Sequence, residues 1–153
     1  MQEYLDLVER VLTNGAYKSN RTGVDTLSCF AEQYKVDLSK GYPLLTTKKV
    51  NFKSMLHEVL WYLSGEDHIR NLRQHTKIWD AWADDNGNLD TAYGRYWRRF
   101  PSAQINPETG TYEVAEIDQI GKVIELLKTD PNSRRMVVTA WEPGNAHSSK
   151  LPP

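Results

Sequence analysis

The chain has 153 residues, of which 25% are charged and 39% hydrophobic, values typical of one ordinary globular domain. Its formal net charge of -1 argues against a global electrostatic attraction to nucleic acid or to a membrane surface. Cys29 is the single cysteine, which excludes an internal disulfide and favours a reducing, cytoplasmic compartment. No apolar run reaches the length of a membrane span, and the N-terminal residues lack the pattern of a signal peptide. Any anion site must therefore be local.

The first fifty residues predict one helix followed by strand structure. Apolar residues recur at helical spacing from Tyr4 to Leu12, before a stop at Asn14-Gly15. Residues 26–38 favour two strands or one bulged strand, in which Cys29 is a small buried hydrophobe and not a nucleophile. Arg21 lies near a glycine in the preceding loop. A solvated surface arginine is its simpler interpretation, and an anion clamp is the alternative.

The clearest helical pattern begins after residue 51. Asn51 is a candidate N-cap, six apolar residues from Phe52 to Leu63 form one stripe, and Ser64-Gly65 ends the helix. Glu58 lies at the edge of this stripe, beside aromatic residues. A carboxylate in such a place suits proton exchange near neutrality, although the helical period alone favours an exposed surface glutamate.

Aromatic residues are frequent in the next fifty positions. A weaker helix is predicted over 67–75, with its apolar residues facing inward. Trp79 and Trp82 are three residues apart, so in a helix they share one face, either as core or as one wall of a slot for a fused ring. Arginines and aromatics are interleaved over 93–100, which suits stacking on a base, and the near-zero net charge favours a single nucleotide over a long nucleic acid. Residues 101–114 predict an exposed hairpin or an insertion.

The last part of the chain predicts a third strong helix over 117–127, a turn at 130–133 and a buried strand over 136–141. Arg134 and Arg135 stand between the turn and the strand. A guanidinium binds phosphate or carboxylate through two parallel hydrogen bonds, so the pair could hold one anion or two. Two solvated surface charges are the simpler interpretation from these residues alone. Helices that alternate with strands favour an α/β or α+β fold.

Several short motifs occur in one order along the chain. They are Arg21-Thr22-Gly23, Thr46-Thr47-Lys48, His57 to Gly65, Ile78-Trp79-Asp80, Tyr93-Gly94 with Trp97-Arg98, Asp118-Gln119-Ile120 and Ser133 to Trp141. Together they resemble the N-terminal half of thymidylate synthases, over essentially the whole chain. The resemblance implies a single partial domain over 1–153, with a twisted mixed sheet covered by helices and the C-terminal part of that sheet missing. A large apolar face is then expected to lie bare.

The resemblance also implies roles for particular residues. Arg21 would bind the 5′-phosphate of dUMP, and Arg134 and Arg135 would reach the same phosphate from the partner subunit of a homodimer. Glu58 would relay protons through ordered water, and Tyr93 would lie near the nucleophile. The folate-binding residues implied are Lys48, Asn51, Trp79 and Trp82, with Asn51 at a position where the family often has histidine.

The reaction implied is the reductive methylation of dUMP to dTMP by 5,10-methylenetetrahydrofolate, which leaves dihydrofolate and needs no metal. The family's nucleophile is the cysteine of a Pro-Cys-His segment, and Leu151-Pro152-Pro153 stands where the residues before that cysteine would be. These residues alone are therefore expected to be inactive. The alternatives are a pyrimidine nucleotide hydroxymethylase of the same fold, and a non-catalytic nucleotide- or RNA-binding module that uses the arginines and residues 93–100.

Overall fold

A computed structural model of the chain describes residues 2–20, 23–90 and 92–145. Contacts divide the chain into two compact units, Met1–Val50 and Asn51–Pro153. The first unit begins with helix α1 (Gln2–Asn14), which confirms the first predicted helix. Strands β1 (Ala16–Lys18) and β2 (Thr26–Ser28) then form an antiparallel pair.

The predicted strand structure over 26–38 is wrong beyond β2. Phe30 is fully exposed and Ala31 has a φ of 57°, a conformation that ends extended structure. The physical reason is that β1, the strand that pairs with β2, has only three residues. Its three residues pair with the three of β2, so no partner continues the pairing beyond Ser28. Cys29 is half-buried and not enclosed in a core.

The second unit contains most of the regular structure. Its helices and strands are α2 (Phe52–Ser64), α3 (Tyr93–Arg98), β3 (Phe100–Ile105), β4 (Tyr112–Ile117) and α4 (Gln119–Thr129). The bounds of α2 follow from its caps. The side chain of Asn51 accepts a hydrogen bond from the Ser54 amide at 3.2 Å, and Gly65 ends the helix with a φ of 77°. This helix and its caps are as predicted.

The weaker helix predicted over 67–75 is wrong, although its inward residues are right. Ile69 and Leu72 are buried, but the backbone forms turns and one 3₁₀ turn at Leu72–Gln74. The reason is a pairing with a distant segment. The Ile69 amide donates to the Gly87 carbonyl at 2.9 Å, and the Leu89 amide donates to the Asp67 carbonyl at 2.8 Å. These bonds flank an isolated antiparallel bridge between His68 and Asn88, and they use backbone groups that a helix over 67–75 would have to pair within itself.

One core joins α2 to the loops and α3. Its buried members are Trp61, Ile69, Leu72, Trp79, Leu89 and Ala92. Helices α2 and α3 lie very close together because position 94 is glycine. A Cβ there would lie 2.4 Å from the carbonyl oxygen of Tyr62, inside the distance that real Cβ atoms keep.

The strands β3 and β4 form the expected exposed hairpin, in register from Phe100 opposite Ile117 to Ile105 opposite Tyr112. The tip is a compact turn. Asn106 accepts a hydrogen bond on its side chain from the Glu108 amide at 2.9 Å, and Gly110 has a φ of 68°. Helix α4 confirms the third predicted helix, and the Ser133 amide closes the predicted turn on the Asp130 carbonyl at 3.0 Å.

Residues 136–141 do not form the predicted strand, because they have no strand partner among the described residues. A buried side chain takes the place of that partner. Gln119 donates to the Thr139 carbonyl at 2.8 Å and accepts from the Thr139 amide at 3.0 Å. It also donates to the Tyr96 carbonyl at 2.7 Å, so it ties the segment to α3. A hydrogen-bonding side chain satisfies the backbone as a neighbouring strand would.

The architecture confirms the α+β class. In the described ranges, two separate two-stranded antiparallel hairpins stand where the resemblance implies one twisted mixed sheet. The helix α2 has an exposed apolar side. One side of this helix leaves five large apolar side chains 39–53% exposed: Phe52, Leu56, Val59, Leu60 and Leu63. The opposite side of α2, with Trp61 and Tyr62, is the packed one.

Candidate functional site

The packed side of α2 has a carboxylate at its centre. Glu58 is half-buried, so it is not the exposed surface glutamate that the helical period favours. The indole Nε1 of Trp79 donates a hydrogen bond to its Oε1 at 2.6 Å. The hydroxyl of Tyr62 donates to the same oxygen at 3.1 Å. Two donors, one from the next turn of the helix and one from a loop 21 residues away, therefore hold this side chain.

Aromatic rings surround this carboxylate in edge-to-face contacts. The Tyr62 ring lies 6.2 Å from Trp79, 5.7 Å from Tyr93 and 5.4 Å from Trp97, between ring centroids. Trp79 and Tyr93 are 5.9 Å apart at an angle of 80°. Such geometry is favourable for aromatic pairs and gives the site a rigid apolar wall. Trp97 was not predicted as a site residue, although its spacing of four from Tyr93 places both on one face of α3.

Tyr62 is a donor that does not ionise under ordinary conditions. Burial, followed by the charge of Glu58 and the hydrogen bond to it, raises the pKa of Tyr62 well above its ordinary value. The phenol therefore keeps its proton through neutral and moderately alkaline pH. Its hydrogen bond to Glu58 is available whenever the carboxylate is ionised.

Within the second unit, the other residues implied for folate binding are not placed with this carboxylate. Trp82 is 42% exposed. Its amide donates to the Trp79 carbonyl at 3.1 Å, and both residues lie in turns, so they do not share the face of a helix as predicted. Asn51 uses its side chain to cap α2. Lys48 is exposed and belongs to the first unit. Arg21 lies outside the described residues. Of the predicted site residues, the structure brings together Glu58, Trp79 and Tyr93.

Arg134 and Arg135 lie in an exposed turn after α4. Within residues 2–20, 23–90 and 92–145, neither guanidinium has a hydrogen bond or an ion pair. Other arginines of the chain are engaged, such as Arg98 with Asp118 at 3.0 Å and Arg73 with Asp80 at 3.1 Å. The pair after α4 therefore presents to an anion two guanidinium groups that have no partner among the described residues.

Sequence reasoning assigned no role to Gln119 beyond its motif. It is the buried polar residue of α4, and through Thr139 it fixes the segment that follows the two arginines. Further along, the Asn145 amide group donates to the Tyr96 hydroxyl. A glutamine directly after the Asp118 helix cap, on the packed side of an apolar helix, is the signal that could have revealed it.

The described part of the chain contains neither a helix suited to span a membrane nor a cluster of metal-binding side chains. No helix there has both the length and the apolar character needed to cross a bilayer. Among the same residues, no group of three or more His, Cys, Asp or Glu side chains could hold a metal ion.

The chain belongs to the thymidylate synthase family, as its motifs predicted. The sequence profile of that family matches residues 2–153. A particular relative is a thymidylate synthase of Haloferax volcanii, which is 51% identical over 160 residues. That match covers 97% of this chain and 47% of the relative, so the chain spans about half the length of the curated relative it matches.

Proposed function

We propose that these residues form the part of a thymidylate synthase that transfers protons during methylation of dUMP and binds its phosphate. The observation that carries the proposal is the Glu58 carboxylate, held by Trp79 and Tyr62 inside an aromatic wall. The co-substrate is 5,10-methylenetetrahydrofolate, the products are dTMP and dihydrofolate, and no metal is needed. The domain of this function is residues 1–153 together with the remainder of a full-length family protein.

The chemistry explains why such a carboxylate is required. C5 of uracil is a weak nucleophile until a thiolate adds to C6 and turns the ring into an enolate, which can attack the folate methylene. Protons must then move at the uracil carbonyl and at the bridging amine. A fixed carboxylate next to water can give and take these protons. Cys29 is not the thiolate in this proposal, since it directly follows β2 and does not stand in a Pro-Cys-His segment.

The phosphate of dUMP is assigned to Arg21, Arg134 and Arg135. This assignment is supported by the exposed turn of the last two and by the absence of any partner for their guanidinium groups in the described part of the chain. We propose that they cross to the active site of a partner in a homodimer. The folate is assigned to Lys48, Asn51, Trp79 and Trp82, which are the residues that the family resemblance implies for it. The single cysteine supports a reducing, cytoplasmic location.

The activity test uses a chimera that joins these 153 residues to the remaining residues of the Haloferax volcanii relative. The 153-residue chain alone is expected to give no dTMP, and the chimera is expected to give dTMP from dUMP and 5,10-methylenetetrahydrofolate. Glu58→Gln in the chimera should lower kcat about 10²- to 10⁴-fold, the range for loss of one acid–base group.

Glu108→Gln at the exposed hairpin tip is the matched control and should leave kcat unchanged. Turnover by the 153-residue chain alone would contradict the proposal that its nucleophile lies elsewhere. A folded, dimeric chimera that makes no dTMP, or one that keeps full activity with Glu58→Gln, would overturn the assigned role.

The phosphate assignment predicts a binding defect in the chimera. Replacing Arg134 and Arg135 together with alanine should raise KM for dUMP about 10²- to 10⁴-fold, since each of the two bidentate charge-assisted contacts contributes on the order of 1.5–3 kcal/mol and about 1.4 kcal/mol corresponds to tenfold. The change in kcat should be small, because the phosphate is held equally in the ground and transition states. Steady-state kinetics measure both constants.

Lys128→Ala is the control, because it removes an exposed positive charge from the last turn of α4. Competition by phosphate-free deoxyuridine should be the same in all variants. The assignment fails if the double variant keeps its KM. Binding of single-stranded RNA tighter than dUMP, with a steep loss at higher salt, would favour the nucleic-acid alternative instead.

A further inference from the structure

The two oxygens of Glu58 have different surroundings. Oε1 accepts hydrogen bonds from the Trp79 indole at 2.6 Å and from the Tyr62 hydroxyl at 3.1 Å. Oε2 accepts none from the part of the chain that the structure describes. In that same part, no buried side-chain oxygen lacks a partner, so Oε2 is not sealed from solvent. One oxygen is thus occupied by the protein, and the other is left open.

We infer that Oε2 of Glu58 is the atom that exchanges protons, and that Tyr62 is a positioning residue that fixes which oxygen faces the reaction. The inference rests on the proposed function and deepens it. A carboxylate oxygen that already accepts two hydrogen bonds has used its lone pairs, so an added proton goes to the other oxygen. In each exchange one proton passes between Oε2 and a hydrogen-bonded water, and the O–H bonding electrons stay with the oxygen that loses the proton.

The hydroxyl of Tyr62 has no packing task that its ring does not already perform. The ring makes the contacts with Trp79, Tyr93 and Trp97, and a phenylalanine ring would make them equally. The hydroxyl is what reaches Glu58, and it stays protonated because burial and the carboxylate raise the pKa of Tyr62. Because Glu58 has several rotatable bonds, a second donor removes freedom that a single donor would leave.

The first test is NMR spectroscopy of the 153-residue chain, which shows one indole N–H resonance for each of its five tryptophans. The Trp79 resonance should move with pH as Glu58 gains a proton, and Glu58→Gln should abolish this movement. Tyr62→Phe should raise the midpoint of the movement by about 0.5 to 1 pH unit, because the ionised carboxylate loses a donor.

Tyr112→Phe is the matched control, since Tyr112 is 74% exposed on β4. It should leave the midpoint where it is. The other four indole resonances report whether each variant keeps its fold. A Trp79 resonance that ignores pH in the parent chain, or an unchanged midpoint in a folded Tyr62→Phe variant, would overturn the inference.

The second test uses the chimera described above. Tyr62→Phe should move the acidic limb of the kcat/KM profile to higher pH by the same amount as the NMR midpoint, and KM for dUMP should change less than about twofold. If the chimera makes dTMP and this profile does not move, the positioning role fails and the proposed function stands. If the NMR midpoint moves but the chimera makes no dTMP, the arrangement of the two oxygens stands and the proposed function fails.

Discussion

Gly94→Ala is expected to destabilise the second unit by about 2 to 3 kcal/mol, the cost typical of overpacking a tight contact. A Cβ at position 94 would lie 2.4 Å from the oxygen, 2.6 Å from the Cα and 2.8 Å from the carbonyl carbon of Tyr62. All three are backbone atoms, so no rotamer change can relieve the contact and α3 must move away from α2. The gain of about 1 kcal/mol from alanine in a helix is smaller than this cost.

Urea unfolding followed by tryptophan fluorescence measures the change in free energy. Gly121→Ala is the matched control in α4, where a Cβ meets only the flexible end of the Asp118 side chain. That variant should change stability by less than about 1 kcal/mol, because the lost cap and the gained helix propensity oppose each other. A Gly94→Ala variant as stable as the parent would show that the helices are not held at this distance.

Gln119→Leu is expected to cost about 2 to 3 kcal/mol, because unpaired polar groups in a largely buried place are expensive. The substitution leaves the amide and carbonyl of Thr139 and the carbonyl of Tyr96 without the partners they now have. The stability of Gln119→Glu should lie between that of the parent and that of Gln119→Leu. A carboxylate at this position still accepts a hydrogen bond from the Thr139 amide, but it no longer donates one. Amide hydrogen exchange at Thr139 should become faster in both variants.

Gln104→Leu on the exposed β3 strand is the control for the change in hydropathy. It should leave both the stability and the exchange at Thr139 unaltered. Equal protection of the Thr139 amide in the parent and in Gln119→Leu would contradict the view that this one side chain replaces a strand.

The parts of the fold that local sequence determines were predictable. Helix α2 begins after an asparagine cap and ends at a glycine in the left-handed conformation. Both residues directly flank the helix in the sequence, so a short window of sequence is enough to predict its bounds. The wrong predictions concern residues whose partners are distant. Residues 67–69 pair with 87–89, and residues 136–141 depend on Gln119, so neither conformation is visible in a short window of sequence.

The site shows the same division. The motifs singled out Glu58, Trp79 and Tyr93 separately, and the structure places the three residues close together. Which side of α2 would pack was not predictable from its period, because the apolar stripe stayed exposed and the aromatic side turned inward. The Tyr62 hydroxyl shares the same acceptor oxygen of Glu58 with the Trp79 indole, which lies in a loop 21 residues away. A short window of sequence does not show this shared acceptor.

The exposed tip of the β3–β4 hairpin is a site where a peptide or a label can be inserted. Residues 107–111 are exposed, and the six paired positions on each side fix the register independently of what the turn carries. Lengthening a flexible loop of this kind costs little, about 0.6 kcal/mol for each doubling of its length. An affinity peptide or a fluorescent label can therefore be placed between Pro107 and Gly110, where it reports on the protein without entering the aromatic site around Glu58.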